Sequence, residues 1–135
     1  MTRKAATTAA DPLRARTGAV ISRLARLLPQ AARHPQPDVV HRLRTHIRRA
    51  EALLGVHPPA QTDPKLCKQL QKLRRRAGRV RDLDVHLGLL RGVHVEGDQG
   101  RKQALLQAME PRREREAARL QGKLDPAARR ELVRR

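Results

Sequence analysis

The sequence predicts an all-α protein, an antiparallel helical bundle of four to five helices. Three observations lead there. Apolar residues recur at spacings of three, four and seven, the rhythm of one helix face. Short breaker clusters, "RHPQP", "GVHPP" and "RGVHVEGDQG", interrupt that rhythm at intervals suited to helices joined by short loops. No stretch alternates apolar and polar residues as a half-buried strand does. The 135 residues suffice for one domain, expected over 12–135. Residues 1–11, basic and small but without an apolar run, read as a disordered lead-in and not as a secretory signal.

The first helix is expected to open at Asp11-Pro12, an N-cap followed by proline in the first turn. Leu13, Val20, Leu24, Leu27 and Ala31 form its apolar stripe. The second opens near Pro37-Asp38 and buries Val40, Leu43, Ile47, Ala50 and Leu54, with Gly55 as its expected C-cap. The third is capped by Thr62 or Asp63. Its stripe is Leu66, Leu70, Leu73, Ala77 and Val80, continued out of phase by Leu83, Leu87 and Leu90. Run from 64 to 90, it would be roughly 40 Å long. A turn-rich loop over 91–100 precedes a fourth helix with Leu105, Leu106, Met109, Leu120 and Leu124, which Pro111 is expected to kink or split. Asp125-Pro126 opens a fifth that soon stops, as a frayed tail or half of a larger architecture would.

Charge dominates the composition. Lys and Arg number 31 against 13 Asp and Glu, a formal net charge of +18 and a pI near 11.8. Such repulsion weakens a compact state and is ordinarily carried for an anionic partner. Arginine outnumbers lysine 25 to 6. Its planar fork grips phosphate oxygens bidentately, which points to phosphate, although a GC-rich genome also raises arginine content. Phe, Tyr and Trp are absent. The core is therefore aliphatic and modest, and bases of a single strand have no ring to stack on. A chain of phosphates needs none. The single cysteine, Cys67, excludes an internal disulfide and fits a reducing compartment, so a cytoplasmic location is expected. No apolar run approaches the ~18 residues of a membrane span, and no membrane partner is expected.

The cations are placed in rows. In "VVHRLRTHIRR", residues 39–49, His41, Arg44 and Arg48 fall within about 60° of one another, opposite the apolar side. Arg42 and Arg49 flank them, and no acid neutralises the stretch. In the third helix Lys68, Lys72, Arg75, Arg79 and His86 share a face, with Lys65, Arg74 and Arg76 around it. Residues 65–86 hold eight Lys or Arg against two Asp, a net +6. In the first helix Arg16, Arg23, Arg26 and Arg33 lie to one side of the stripe. A run of charge is ordinarily just a solvated face. Here the rows repeat in register with the apolar stripes, and three packed helices would bring them onto one surface that focuses field on a polyanion.

The acids of "GRVRDLDV", Asp82 and Asp84, read best as groups that hold arginines in fixed rotamers, with Arg81 and Asp84 as a partly buried pair. A metal-dependent enzyme acting on phosphate chains through either carboxylate is the rival, disfavoured because acids are scarce on the basic faces. His41 and His46 point about 140° apart, not the shared-face spacing of a zinc site. There is no glycine-rich phosphate loop and no nucleophile with a base nearby. No cofactor, metal or catalytic residue is expected.

Two stretches together resemble the CHAD domain, the conserved histidine α-helical domain. "VVHRLRTHIRRAEALLG" is similar to the family's V-H-x-x-R-x-x-x-R-R helix, carried by His41, Arg44, Arg48 and Arg49. "LQKLRRRAGRVRDLDVHLGLLR" is similar to its basic helix ending in R-D-x-D-V, carried by Arg81, Asp82, Asp84 and Val85. "LLQAMEPRREREAARLQGKLDP" resembles the helix that follows, and the likeness covers roughly 12–130. The resemblance implies a helical bundle that binds inorganic polyphosphate on a basic surface, associates with polyphosphate granules and catalyses nothing. It implies binding roles for His41, Arg44, Arg48, Arg49, Lys72, Arg76, Arg79 and Arg81; the basic faces add Arg75, Arg16 and Arg23. Family members usually pair two bundles around a basic channel. The chain reads as about the first, a half-length member, and a homodimer would supply the second wall. The alternative is non-specific binding of the duplex DNA or RNA backbone, which the same charge would serve.

Overall fold

A computed structural model describes the backbone of residues 2–134 and the side chains of residues 12–130 and 132. The chain forms α1 (Thr2–Arg33), α2 (Pro37–Val56), a single 3-10 turn (Pro59–Gln61), α3 (Pro64–Gly92), α4 (Arg101–Gly122) and α5 (Pro126–Arg134). No strand occurs among the described residues. Consecutive long helices pack as antiparallel neighbours, α4 also meets α1, and α5 lies on α1. The all-α bundle expected from the periodicity is the fold observed.

α1 reaches back to Thr2, so Pro12 stands inside the helix and not at its first turn. The run before it is rich in alanine, the strongest helix former. The side chains of 1–11, where a disordered lead-in is expected, lie outside the described residues. Three residues, His34–Gln36, turn the chain into α2, where Pro37 occupies the first helical position. Gly55 is not the cap: the helix continues through it to Val56, and His57 ends it in an extended conformation (φ −69°, ψ 149°). Pro58 enforces this, because the residue before a proline is driven out of the helical region. Asp63, not Thr62, caps α3 by accepting from the Lys65 amide at 2.9 Å.

α3 is unbroken over 29 residues, and Pro111 neither splits nor ends α4. Between them the chain turns through left-handed Gly97, Gln99 and Gly100. Asp98 then takes the first amides of α4, Arg101 at 2.8 Å and Lys102 at 3.4 Å. Asp98→Ala should therefore cost about 1 kcal/mol. Denaturant unfolding followed by circular dichroism checks this: the midpoint falls while the slope is unchanged. Asp125 caps α5 in the same way, accepting from Ala128 at 2.7 Å.

The main core joins Leu24, Leu27, Leu28 and Ala31 of α1 to Val40, Leu43, Ile47 and Ala50 of α2. Leu66 to Val80 of α3 complete it with Leu120 and Leu124. Most of the predicted stripe residues fill it; Leu13, Leu83, Leu90 and Met109 are only half-buried and lie outside it. Leu105 is 49 % exposed, while its neighbour Leu106 is buried. Leu87 and Leu106 are buried outside the main cluster, where α3 and α4 pair.

Among the described residues, one charged residue is buried with them. Arg113 of α4 is 8 % exposed. Its Nε donates to Asp84 Oδ1 at 2.8 Å and its Nη2 to Asp84 Oδ2 at 3.3 Å. Nη2 also donates to the Pro35 carbonyl. One guanidinium thus ties α4 to α3 and to the α1–α2 connection. Gln121 adds a second tie, donating to the Ala32 carbonyl at 2.9 Å.

Candidate functional site

The expected Arg81–Asp84 pair is not formed. Asp84, its side chain 5 % exposed, is taken by Arg113, and Arg81 has no carboxylate within 4 Å among the described residues. Asp84 therefore orients a structural arginine and not one of the basic row. Asp82 is exposed and makes no ion pair among the described residues. Arg113 sits at a core position of α4, in step with Leu106, Ala117, Leu120 and Leu124. That spacing was the available sign of it.

The α2–α3 register follows from two contacts. Arg74 Nε donates to Glu51 Oε1 at 2.8 Å. A Cβ placed on Gly78 would lie 3.7 Å from Arg44 Nε, so the Arg44 side chain lies across α3 at that glycine. Antiparallel helices in this register bring Arg48 level with Arg74 and Arg75, and His41 level with Arg81 and Asp82. His41, Arg44, Arg48, Arg74 and Arg81 thus border one groove. Arg44 is half-buried and its Nε is a buried donor with no hydrogen-bond partner. Arg74 was missed as a groove member. Its signal was Glu51, an acid in a stretch otherwise basic.

The other predicted residues divide. Arg75 and Arg79, both exposed, stand one turn apart on the outer crest of α3, about 6 Å along its axis. Arg49 is exposed on the outer face of α2. Lys72 faces away from α2, lining a recess with Lys123 and Arg129, and half-buried Arg76 lies one turn further along that flank. Arg16 belongs to the far end of the bundle. Its neighbour Thr17 has its hydroxyl 2.9 Å from His57 Nε2, and His57 lies about 20 Å along α2 from Arg44. Arg23 falls between these levels. The rows form a band along the bundle, with one groove at its centre, and do not meet at a point.

The band is short of counter-charge. None of His41, Arg44, Arg48, Arg49, Lys72, Arg75, Arg76, Arg79, Arg81, Arg16 and Arg23 has a carboxylate within 4 Å among the described residues. The ion pairs engage other arginines: Arg42, Arg74, Arg91, Arg113 and Arg119. Unpaired guanidinium groups on rigid helices can donate charge-assisted bonds to phosphate oxygens with little reorganisation. No group of three or more His, Cys, Asp or Glu that could hold a metal ion occurs among the described residues. No helix among them is long and apolar enough to cross a membrane.

The family model of the CHAD domain matches residues 15–135, nearly the whole chain. The chain belongs to the CHAD domain family. No curated protein and no solved structure matches it. The match spans every element from α1 to α5, so this CHAD domain's basic helices α2 and α3 and the pair that anchors them, Asp84 and Arg113, fall in one family unit.

Proposed function

We propose that this CHAD domain binds inorganic polyphosphate, held in the α2–α3 groove by His41, Arg44, Arg48 and Arg81 and followed along the band by Arg49, Arg75 and Arg79. The observation that carries this reading is the groove's unpaired arginines, with the Arg44 Nε buried and partnerless. Membership of the family supports a phosphate-related ligand. The domain acts as a binding module and turns nothing over. A second copy would close the groove into a channel, and the protein would collect at polyphosphate granules in the cytoplasm. Nucleic-acid backbones would bind the same band more weakly, as a secondary ligand.

Binding should be electrostatic in its salt dependence. By analogy with nucleic acids, each neutralised phosphate releases counterions, so log K should fall linearly with log salt. Calorimetric titration with long-chain polyphosphate across a salt series tests this. An affinity indifferent to salt would contradict the reading.

Glu51 supplies a sharper test. Among the described residues it is the one carboxylate paired with a groove arginine. Glu51→Gln frees Arg74 for the ligand and should raise affinity about threefold, the factor expected from one partly exposed ion pair. An unchanged or lower affinity would place the phosphate chain elsewhere.

A further inference from the structure

A recess lies on the opposite flank of α3. It sits between α1, α3, α5 and the α4–α5 connection and measures about 160 Å3. Leu28, Leu73, Leu124 and Leu132 make its wall apolar. Cavities of about 150 Å3 lined by aliphatic side chains hold a molecule the size of benzene. Three cations, Lys72, Lys123 and Arg129, line the same recess, and no carboxylate does so among the described residues.

Two residues of this lining each hold a buried polar atom with no hydrogen-bond partner. The atoms are Arg129 Nε, a donor, and Gln69 Oε1, an acceptor. A buried polar atom left without a partner costs about 1–3 kcal/mol. An anion in the recess would offer Arg129 the acceptor it lacks, and the Gln69 amide, turned over, would donate to it through Nε2. The ligand must also carry negative charge for the lysines and an apolar body for the leucines. A carboxylate brings a single charge to three cations, and a bare phosphate has no apolar body. A phosphate monoester meets these demands: at neutral pH it carries about 1.5–2 negative charges for the three cations, and its organic body covers the leucines.

We infer that the α3–α5 recess binds a small phosphate monoester with an apolar or aromatic body. The body fills the space over Leu28 and Leu73. The phosphate meets Lys72, Lys123 and Arg129. The site is independent of the α2–α3 groove: it lies across α3 from it and selects for the body that a polyphosphate chain lacks.

The test titrates the 135-residue chain with phenyl phosphate and, separately, with orthophosphate at equal ionic strength. Calorimetry gives the affinities and amide chemical shifts give the place. Phenyl phosphate should bind about tenfold or more tightly than orthophosphate, the factor that about 1.4 kcal/mol represents. Amide shifts should centre on Gln69, Lys72, Lys123 and Ala128. Ala128→Phe, which places a ring in the recess, should bring the two ligands within about twofold of each other. Lys123→Gln, at an exposed position, should weaken phenyl phosphate about fivefold without loss of helix content. Equal affinity of the two ligands for the unmodified chain would overturn the assignment. So would shifts centred on residues 41–48 and 75–81, or a preference that survives both substitutions.

Discussion

Arg113→Ala should cost the bundle about 3–5 kcal/mol, the usual effect of removing one partner of a buried ion pair. The substitution leaves Asp84, its side chain only 5 % exposed, without the two bonds that neutralise it. It also frees the Pro35 carbonyl. Small domains are stable by only about 5–15 kcal/mol, so the loss is a large fraction of the total. The melting temperature should fall by roughly 10 °C or more. Replacing both partners, Asp84→Leu with Arg113→Met, should restore most of the stability, because no buried charge then remains. Denaturant unfolding of the two variants decides it. A loss below about 1 kcal/mol for Arg113→Ala would mean that water reaches the carboxylate and that the pair is not a keystone.

Arg44→Glu with Arg48→Glu should weaken polyphosphate binding by about 100-fold or more. Each charge-assisted bond contributes about 1.5–3 kcal/mol, and both are lost while two repulsive charges appear. Arg48 is exposed and Arg44 half-buried, and neither has an ion-pair partner to strand among the described residues. Helix content should therefore persist. Net charge changes equally in the control, Arg101→Glu with Arg112→Glu, at exposed unpaired positions of α4. The control should lose only a few-fold, through the general field. Equal losses in the two double variants would move the site off the α2–α3 groove.

The apolar stripes were legible because burial follows helical period: Leu43, Ile47, Leu70 and Ala77 lie where the rhythm places them. The ends were less legible. Gly55 has the composition of a cap, yet Pro58 decides where α2 stops. Asp84 shows the deeper limit. Its nearest cation in sequence is Arg81, but its partner comes from 29 residues away, because α4 brings Arg113 to a core position. Only the packing of α4 on α3 reveals that. The site was legible as a set of cations and not as an arrangement. His41, Arg44 and Arg48 share a face by their own spacing. Lys72 was grouped with Arg75 and Arg79 on one broad face of α3, and its place beside Lys123 and Arg129 depends on where α5 packs. Arg74 reads as one more charge until Glu51 is seen opposite it.

On the function proposed above, the α2–α3 band is a dedicated phosphate-chain site and not a general basic surface. Displacement of a labelled DNA duplex by long-chain polyphosphate tests it most directly, at matched phosphate concentration, at low and at higher salt, with the mass followed by light scattering. Polyphosphate should displace the duplex and stay bound at the salt that releases DNA, with a mass near twice 15.3 kDa if a second copy closes the groove. Equal competition that salt erases for both ligands would contradict it, leaving the +18 charge as an unselective polyanion surface.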